Sequence, residues 1–163
     1  MIIKLRGHHL FCLQGFQGYG YSENFIENMI NIKEDVEKLD TEIVLCDYPD
    51  DICKCCPNLN GDLCKNLECN ANIIEMDQKV LIKLDYFEDN ILAKDLFEKI
   101  NGIFNSKRDI ENICGSCNWL EKCLFYQKFL WLLVGTISLN MRDYNIILCC
   151  NCLNGYDFFS PVG

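Results

Sequence analysis

The stretch Asp51-Ile-Cys-Lys-Cys-Cys-Pro57 places Cys53 and Cys56 in a C-x2-C spacing, and Cys64 follows after seven further residues. A two-residue gap lets both sulfurs of such a pair face one point, and a third cysteine on a short loop can reach the same point. We call Cys53, Cys56 and Cys64 the first cysteine unit. Its spacing predicts that a metal centre organises this part of the fold.

A similar arrangement occurs near the other end of the sequence. Asn112-Ile-Cys-Gly-Ser-Cys117 contains the C-x2-C pair Cys114 and Cys117, and Cys123 follows after five residues. We call Cys114, Cys117 and Cys123 the second cysteine unit. One C-x2-C pair is weak evidence for metal, whereas two pairs with trailing cysteines are strong evidence. A metal shared by both units would close a long loop and couple metal binding to folding.

The spacing leaves two kinds of metal centre open. An iron–sulfur cluster, with [4Fe–4S] preferred, uses the trailing cysteines, and the Pro that follows Cys56 also occurs after a ligand in the bacterial ferredoxin pattern. Zinc is the alternative, because two C-x2-C pairs make an acceptable structural site. Zinc leaves Cys64, Cys123 and Cys12 without a ligand role. The six cysteines of the two units exceed the needs of one four-iron cube and fall short of two.

The segment Arg6-Gly-His-His9 precedes a short apolar stretch predicted to be helical, which places both histidines near Cys12. Adjacent histidines can bind metal, move protons or hold an anionic substrate together with Arg6, and they can equally be packed residues bonded to carbonyls. A second alternative is therefore a metal- or cluster-dependent enzyme that uses His8 and His9. Candidates for a further ligand are Cys12, His8, His9 and the C-terminal Cys149, Cys150 and Cys152.

Composition favours reduced cysteines. The chain has 163 residues and 13 cysteines, an odd number that intrachain disulfides cannot pair completely. Lys4 and Arg6 interrupt any signal-peptide core, and the longest apolar run, 129–134, is too short for a membrane span. We therefore expect a cytosolic protein without membrane association, in which thiols are more naturally metal ligands than disulfides. Ordinary buried or loop positions explain Cys46, Cys55 and Cys69.

The charge of the chain bears on its partners. Fifteen Lys plus Arg against 24 Asp plus Glu give a formal charge of −9. This argues against nucleic acid, whose binding depends on basic side chains that neutralise phosphates. An acidic surface steers a basic redox partner towards the protein instead. The Asp and Glu residues fall mostly on predicted solvent faces of helices, so none is assigned a catalytic role.

Periodicity predicts a mainly α fold with at most one or two short strands. Ser22 is a predicted N-cap for a helix whose apolar residues recur at Phe25, Met29, Ile32 and Val36. Residues 41–46 are β-branched enough for a strand. Further helices are predicted at 71–84, at 91–104 with Asn90 as a possible cap, and from near Cys117. Residues 53–70 are predicted to be loop, and 105–113 a polar linker.

The last predicted helix bears on Cys117, because a helix N-terminus favours the thiolate form of a cysteine. Beyond Lys128 the chain becomes apolar all round, and periodicity does not separate a buried helix, a strand and a partner-binding segment there. We therefore divide the chain into a Cys-rich domain at 1–128 and an apolar C-terminal extension at 129–163, packed on that domain or on a partner.

Several motifs together resemble an uncharacterised prokaryotic family, the domain of unknown function DUF1284, which is regarded as iron–sulfur binding. The resemblance covers about residues 1–125, and the tail from about Lys128 goes beyond the usual length of the family. Asn118 stands where the family usually has an acidic residue. The motifs are Leu5-Arg-Gly-His-His-Leu-Phe-Cys-Leu13, Gly15–Ser22, Glu27-Asn-Met29, Asp50-Asp-Ile-Cys-x2-Cys-Pro-Asn58, Met76-Asp77 and Cys114-Gly-x-Cys-x-Trp119.

The resemblance implies that the cysteines of both units are ligands, and it raises Cys12, His8 and His9 as site residues. Together with the spacing, it favours an iron–sulfur protein that acts in electron transfer or redox sensing. The structural zinc module and the enzyme that uses His8 and His9 remain as alternatives.

Overall fold

The computed structural model describes residues 1–64, 67–86, 90–115 and 117–135, with side chains except those of 67–71 and 131–135. Two 3-10 turns cover Cys53–Cys55 and Leu120–Lys122. The helices are α1 His9–Gly15, α2 Glu23–Val36, α3 Leu67–Leu84, α4 Ala93–Ile103, α5 Lys107–Cys114 and α6 Leu124–Gly135. The strands are β1 Ile2–Arg6, β2 Glu42–Cys46, β3 Leu59–Asn60, β4 Leu63–Cys64 and β5 Ile91–Leu92.

A three-stranded sheet has β2 at its centre. β1 pairs with β2 in parallel, with Leu5 opposite Leu45, and β5 pairs with β2 in the antiparallel direction. Parallel neighbours need a crossover connection, which α1 and α2 supply between β1 and β2. Leu5 and Ile43 are fully buried in the core that the sheet shares with the helices. Because β1 ends at Arg6, this strand delivers the Arg6–His9 segment to one end of the sheet.

The fold is mainly α, as the sequence predicts. The strand predicted at 41–46 is confirmed as β2, but the described residues contain five short strands where we expected one or two. β1 was missed because its alternation is brief and precedes a glycine-rich stretch. The other three strands have two residues each, so their identity depends on partners that local pattern does not reveal.

Three helix predictions are confirmed with changed boundaries. Ser22 caps α2, and its Oγ accepts a hydrogen bond from the Phe25 N–H at 3.2 Å. The helix predicted at 71–84 begins earlier, at Leu67, within the segment predicted to be loop. α4 starts only at Ala93, because the two residues before it pair with β2. Asn90 does not cap α4; its side chain donates to Glu42 of β2 instead.

Two predictions around the second cysteine unit are wrong. The predicted polar linker forms α5, which Ser106 caps through a hydrogen bond from the Asp109 N–H. Ile110 and Ile113 are buried on one face of this helix, although its mean composition is polar. Among the described residues no α-helix starts near Cys117; they form turns, including the 3-10 turn Leu120–Lys122, until α6 begins at Leu124.

The predicted extension begins inside α6, which continues across Lys128 and buries Phe129 against the core. The division at 128 stays a prediction, and residues 136–163 lie outside the described part of the chain. In the described residues, none of the helices combines the length and apolar character that crossing a bilayer requires.

Candidate metal centre

Aromatic side chains pack α1 against α6 and against the end of α4. The Phe11 ring contacts the Phe104 ring at 5.0 Å between centroids and the Phe125 ring at 5.3 Å. All three rings are buried, and such contacts stabilise core positions beyond their area alone. Cys12 follows Phe11 directly and is carried by this packing to the second cysteine unit.

At this junction the thiol of Cys12 interacts electrostatically with three others, and we call the set Cys12, Cys114, Cys117 and Cys123 the four-thiol group. All four are free thiols. Burial raises the pKa of Cys12 well above its ordinary value, and the neighbouring thiols of the second unit raise it further. Burial likewise raises the pKa of Cys114, with Cys117 and Cys123 adding to the effect. Thiols that oppose one another's ionisation in this way lie close together.

Gly15, the last residue of α1, allows this close approach. A side-chain carbon at this position would overlap the sulfur of Cys123 and would lie 3.4 Å from the backbone nitrogen of Phe125. Only a residue without Cβ fits there without displacement. The glycine therefore fixes how closely α1 meets the second unit.

The C-x2-C pair of the second unit forms the expected tight turn. The Cys117 N–H donates to the Cys114 carbonyl at 2.9 Å, and the Trp119 N–H donates to the Cys117 sulfur at 3.4 Å. The expectation that Cys117 begins a helix and ionises readily is wrong. Burial raises the pKa of Cys117, and the backbone N–H groups only partly oppose that rise.

The C-x2-C pair of the first unit forms the same local turn in different surroundings. The Cys56 N–H donates to the Cys53 carbonyl at 2.9 Å. Cys53 is buried, and its N–H donates to Asp50 Oδ1 at 3.0 Å. Burial raises the pKa of the Cys53 thiol to about 12, and the nearby Asp50 carboxylate contributes. Cys53 thus faces a carboxylate, whereas Cys114 faces other thiols.

Cys56 and Cys64 are partly buried. Tyr21 interacts electrostatically with Cys56 of the first unit and with Cys117 and Cys12 of the four-thiol group, so thiols of both units lie in the neighbourhood of this tyrosine. Cys64 lies in β4 opposite Leu59 of β3. A centre shared by both units stays a prediction.

Both histidines form short contacts with buried carboxylates. His8 Nδ1 lies 2.6 Å from Asp77 Oδ1, and His9 Nδ1 lies 2.6 Å from Asp50 Oδ2. The two rings are neighbours, with centroids 4.2 Å apart and planes tilted by 52°. The structure therefore contains two carboxylate–histidine pairs side by side.

Arg6 lies beneath these pairs with its side chain 1% exposed. Its Nε donates to Asp77 Oδ2 at 2.7 Å, and its Nη2 donates to the Asp47 carbonyl at 3.3 Å. Burial would lower the pKa of Arg6, but Asp77 more than compensates and the pKa is raised. Arg6 therefore stays charged and holds the carboxylate that orients His8.

Both carboxylates are ionised at neutral pH. Burial would raise the pKa of Asp50, but His9 and the N–H groups of Arg6 and Cys53 hold it well below its usual range. His8 and Arg6 similarly lower the pKa of Asp77 against the effect of burial. Burial, reinforced by the neighbouring His9, lowers the pKa of His8 despite the contact with Asp77.

Asp50 and Asp77 were missed in the sequence because acidic residues were assigned to solvent faces. A signal was present for Asp77, which stands four residues after Ile73 and three before Val80 and therefore lies on the same face of α3 as these apolar residues. Both aspartates are buried. Gly7 supports this arrangement, because a side-chain carbon there would lie 2.9 Å from the Asp77 carbonyl oxygen.

Two of the remaining cysteines, Cys46 and Cys55, lie in the part of the chain whose side chains the structure describes. Cys46 is buried and donates to the Tyr48 carbonyl at 3.3 Å, and Cys55 is exposed. These positions agree with their interpretation as ordinary residues. The Cys69 side chain and the C-terminal cysteines, Cys149, Cys150 and Cys152, lie outside the described residues.

One compact set of potential ligand atoms occurs among the described residues. It consists of His9, Asp50 and Cys53, whose atoms lie within 4.8 Å of one another. The four-thiol group does not form such a compact set in the described structure, so its sulfurs are spread more widely.

The model of the family described as "Protein of unknown function (DUF1284)" matches residues 20–123. The matched range contains both cysteine units and begins after Arg6, His8, His9 and Cys12. No curated protein matches the chain, and no solved structure matches it.

Proposed function

The chain belongs to the DUF1284 family, and we propose that it binds an iron–sulfur cluster, preferably [4Fe–4S], and serves in one-electron transfer or redox sensing. The proposed ligands are the four-thiol group, Cys12, Cys114, Cys117 and Cys123. Four cysteine thiolates are the usual ligand set of such a cluster.

The meeting of these thiols from distant parts of the chain is the observation that carries the proposal. Cys12 belongs to α1, and the other three belong to a segment about a hundred residues later. The contact between the Phe11 and Phe125 rings and the absence of a side chain at Gly15 allow α1 to approach the other three cysteines. Thiols are small side chains, so their packing alone gives little reason for this arrangement. A bound metal would ionise the thiols that burial otherwise keeps protonated.

The spread of the sulfurs favours a cluster over a single zinc ion. Zinc–sulfur bonds of about 2.3 Å in a tetrahedron require sulfurs about 3.8 Å apart. In the described residues no set of three thiols is as compact as the His9, Asp50 and Cys53 set. A four-iron cube holds its thiolates at its corners and therefore suits a wider group.

The surface beside the group suits exchange of electrons with another protein. Cys117 and Cys123 are partly exposed. Trp119 contacts the Tyr19 ring at 6.2 Å and the Tyr21 ring at 5.9 Å, and both tyrosines are about half exposed. The formal charge of −9 would attract a basic partner to the chain as a whole, while Lys122 lies over the Tyr19 ring on this particular surface, 4.4 Å from its centroid.

Elemental analysis of anaerobically purified protein tests the proposal. We expect brown protein with iron and acid-labile sulfide in equal amounts, and a paramagnetic resonance signal from the cluster in one of its redox states. Cys117→Ser should lose most of the iron. Cys46→Ser is the matched control, because Cys46 is also a buried thiol but bonds to the Tyr48 carbonyl, and it should keep the iron.

Colourless protein without sulfide, whose stoichiometric zinc is lost in Cys117→Ser, would establish the structural zinc alternative instead. Cys56→Ser separates two ligand sets. Retention of iron in this variant supports the four-thiol group as the complete set, whereas loss of iron shows that the first unit also provides a ligand, as the sequence predicts.

A further inference from the structure

The carboxylates of Asp50 and Asp77 are fully engaged in holding other groups. Asp50 Oδ2 accepts from the Arg6 N–H at 2.6 Å and contacts His9, and Asp50 Oδ1 accepts from the Cys53 N–H. Asp77 Oδ2 accepts from the Arg6 guanidinium, and Asp77 Oδ1 accepts from the His8 N–H at 3.0 Å and contacts the His8 ring. To bind a metal ion, either carboxylate would have to give up hydrogen bonds that it already makes.

The histidine rings, by contrast, each keep one nitrogen available. An ionised carboxylate can only accept, so in the neutral form of either ring Nδ1 carries the proton and Nε2 carries the lone pair. The side chains of His8 and His9 are 12% and 11% exposed, so an edge of each ring reaches solvent. The centres of the two rings lie only 4.2 Å apart, so both rings can reach one ion between or above them.

The charge around the histidines favours a cation. The buried groups comprise one guanidinium, Arg6, and two carboxylates, Asp50 and Asp77, which sum to −1 when the imidazoles are neutral. An anionic substrate would meet this negative charge, and the Arg6 side chain is already engaged with Asp77 and the Asp47 carbonyl. A divalent cation is attracted by the same charge.

We propose that His8 and His9 bind a divalent transition metal such as zinc through their Nε2 atoms, at a site separate from the four-thiol group. Asp77 and Asp50 are positioning residues that orient the two rings, as carboxylates commonly do behind metal-bound histidines. Two histidine ligands leave coordination positions for water or substrate, whereas a structural zinc site fills all four positions with protein ligands.

The compact set of His9, Asp50 and Cys53 provides the competing geometry. It would require Asp50 to exchange hydrogen bonds for a metal bond and the buried Cys53 thiol to ionise beside that carboxylate. The site formed by His8 and His9 requires neither change, because the carboxylates hold Nδ1 and not Nε2 of each ring. The two geometries differ in whether His8 or Cys53 is a ligand, and this difference can be measured.

The test uses the full chain as isolated, with iron counted separately, so that the result does not depend on the cluster proposal. Zinc is added anaerobically, and bound zinc per chain is measured after removal of the excess. His8→Gln and His9→Gln should each bind one zinc equivalent fewer than the unmodified chain, because a glutamine amide can still donate to the carboxylate but is a poor zinc ligand. Cys53→Ser should bind as much zinc as the unmodified chain.

Two further measurements make the result decisive. Asp77→Asn should weaken zinc binding 10- to 100-fold, as loss of a group behind a metal-bound histidine does. X-ray absorption spectra of the zinc-loaded unmodified chain and of the histidine variants should then be compared. The neighbours present only in the unmodified chain should be nitrogen at about 2.0–2.1 Å rather than sulfur at about 2.3 Å. The proposal is overturned if both histidine variants keep the full zinc content, or if Cys53→Ser loses an equivalent that His8→Gln keeps.

Discussion

The two cysteine units have the same backbone turn and opposite surroundings. In each, the N–H of the second cysteine of the C-x2-C pair donates to the carbonyl of the first at 2.9 Å. A leucine N–H then donates to the second cysteine's carbonyl, at 3.0 Å from Leu59 and 3.1 Å from Leu120. Yet Cys53 faces charged groups, and Cys114 faces thiols. Spacing fixes the local turn, and tertiary packing decides what the turn is used for.

The difference begins with what each turn packs against. The first unit lies beside β1 and α2. The Asn28 side chain of α2 donates to the Asp51 carbonyl at 3.0 Å, and the N–H of Arg6, the last residue of β1, donates to Asp50 Oδ2. The second unit lies between α5 and α6, where α1 delivers Cys12. We call the surroundings of the first cysteine unit, including Asp50 and Asp77, the first region, and those of the second unit the second region. We expect changes of charge to destabilise the first region and changes of side-chain size to destabilise the second.

The largest expected effect comes from Asp77→Ala, which leaves the buried Arg6 guanidinium without its carboxylate. Loss of one partner from a buried ion pair costs about 3–5 kcal/mol in the free energy of unfolding. Chemical denaturation measures this loss. Glu75→Ala on the same helix is the control, because its pair with Lys79 is exposed and should change stability by no more than about 0.5 kcal/mol. Equal effects of the two changes would show that the buried network does not support the fold.

The next effect belongs to the four-thiol group. Gly15→Ala places a methyl group onto the Cys123 sulfur, so we expect a loss of about 1–3 kcal/mol and a lower iron content, measured by denaturation and elemental analysis. Gly102→Ala is the matched control, because open space surrounds that position in α4 and alanine favours helix. A Gly15→Ala protein with full iron content and stability would show that α1 does not need to approach Cys123 so closely.

Acid should weaken the first region selectively. The pKa of Asp50 is lowered in the folded protein, so its stabilising contribution is complete above its ordinary pKa and decreases as the pH falls towards the lowered value. At pH 3 this loss is about 1 kcal/mol relative to pH 6, because the unfolded carboxyl has a pKa near 3.9. Asp50→Asn lacks the titration, so the stability difference between it and the unmodified chain should narrow by this amount. A constant difference between pH 6 and pH 3 would contradict the prediction.

The comparison also shows what local sequence can and cannot predict. Helix α2 was predicted well because its cap and its apolar period agree, and both C-x2-C turns follow from spacing alone. The α5 segment was missed because only two of its residues, Ile110 and Ile113, are large apolar residues, and five of its eight residues are polar. Its capping serine at Ser106 was the available signal.

The site was predicted only in part for a related physical reason. Spacing identifies residues that share a turn, but some electrostatic partners of these cysteines lie more than forty positions away in the sequence. Arg6 is such a partner of Cys53, and Cys12 is such a partner of Cys114. The buried aspartates were overlooked because a carboxylate is expected in solvent unless its partners are known. Here those partners are two histidines and an arginine from the end of one strand.

The smallest expected effect compares the two capping serines, each of which serves one region. Ser106 caps α5, which ends at Cys114, and Ser22 caps α2, which packs against the turn of the first unit. Replacing either serine with alanine should cost roughly 0.5–1 kcal/mol, because each change removes one capping hydrogen bond. Ser106→Ala also removes the hydrogen bond from Ser106 Oγ to Asp109 Oδ2, so its loss of stability, measured by chemical denaturation, should be at the upper end of this range. The two losses of stability should still be similar, and each variant serves as the control for the other.

Iron binding should distinguish these two variants. Fraying of α5 loosens the helix end that holds Cys114, so Ser106→Ala should release iron to a chelator faster than the unmodified chain. Fraying of the first turn of α2 disturbs residues near Phe25 and leaves the four-thiol group in place, so Ser22→Ala should release iron at the unmodified rate. If the two variants release iron equally fast, the metal centre draws on both regions, and a ligand from the first cysteine unit must be added to the set.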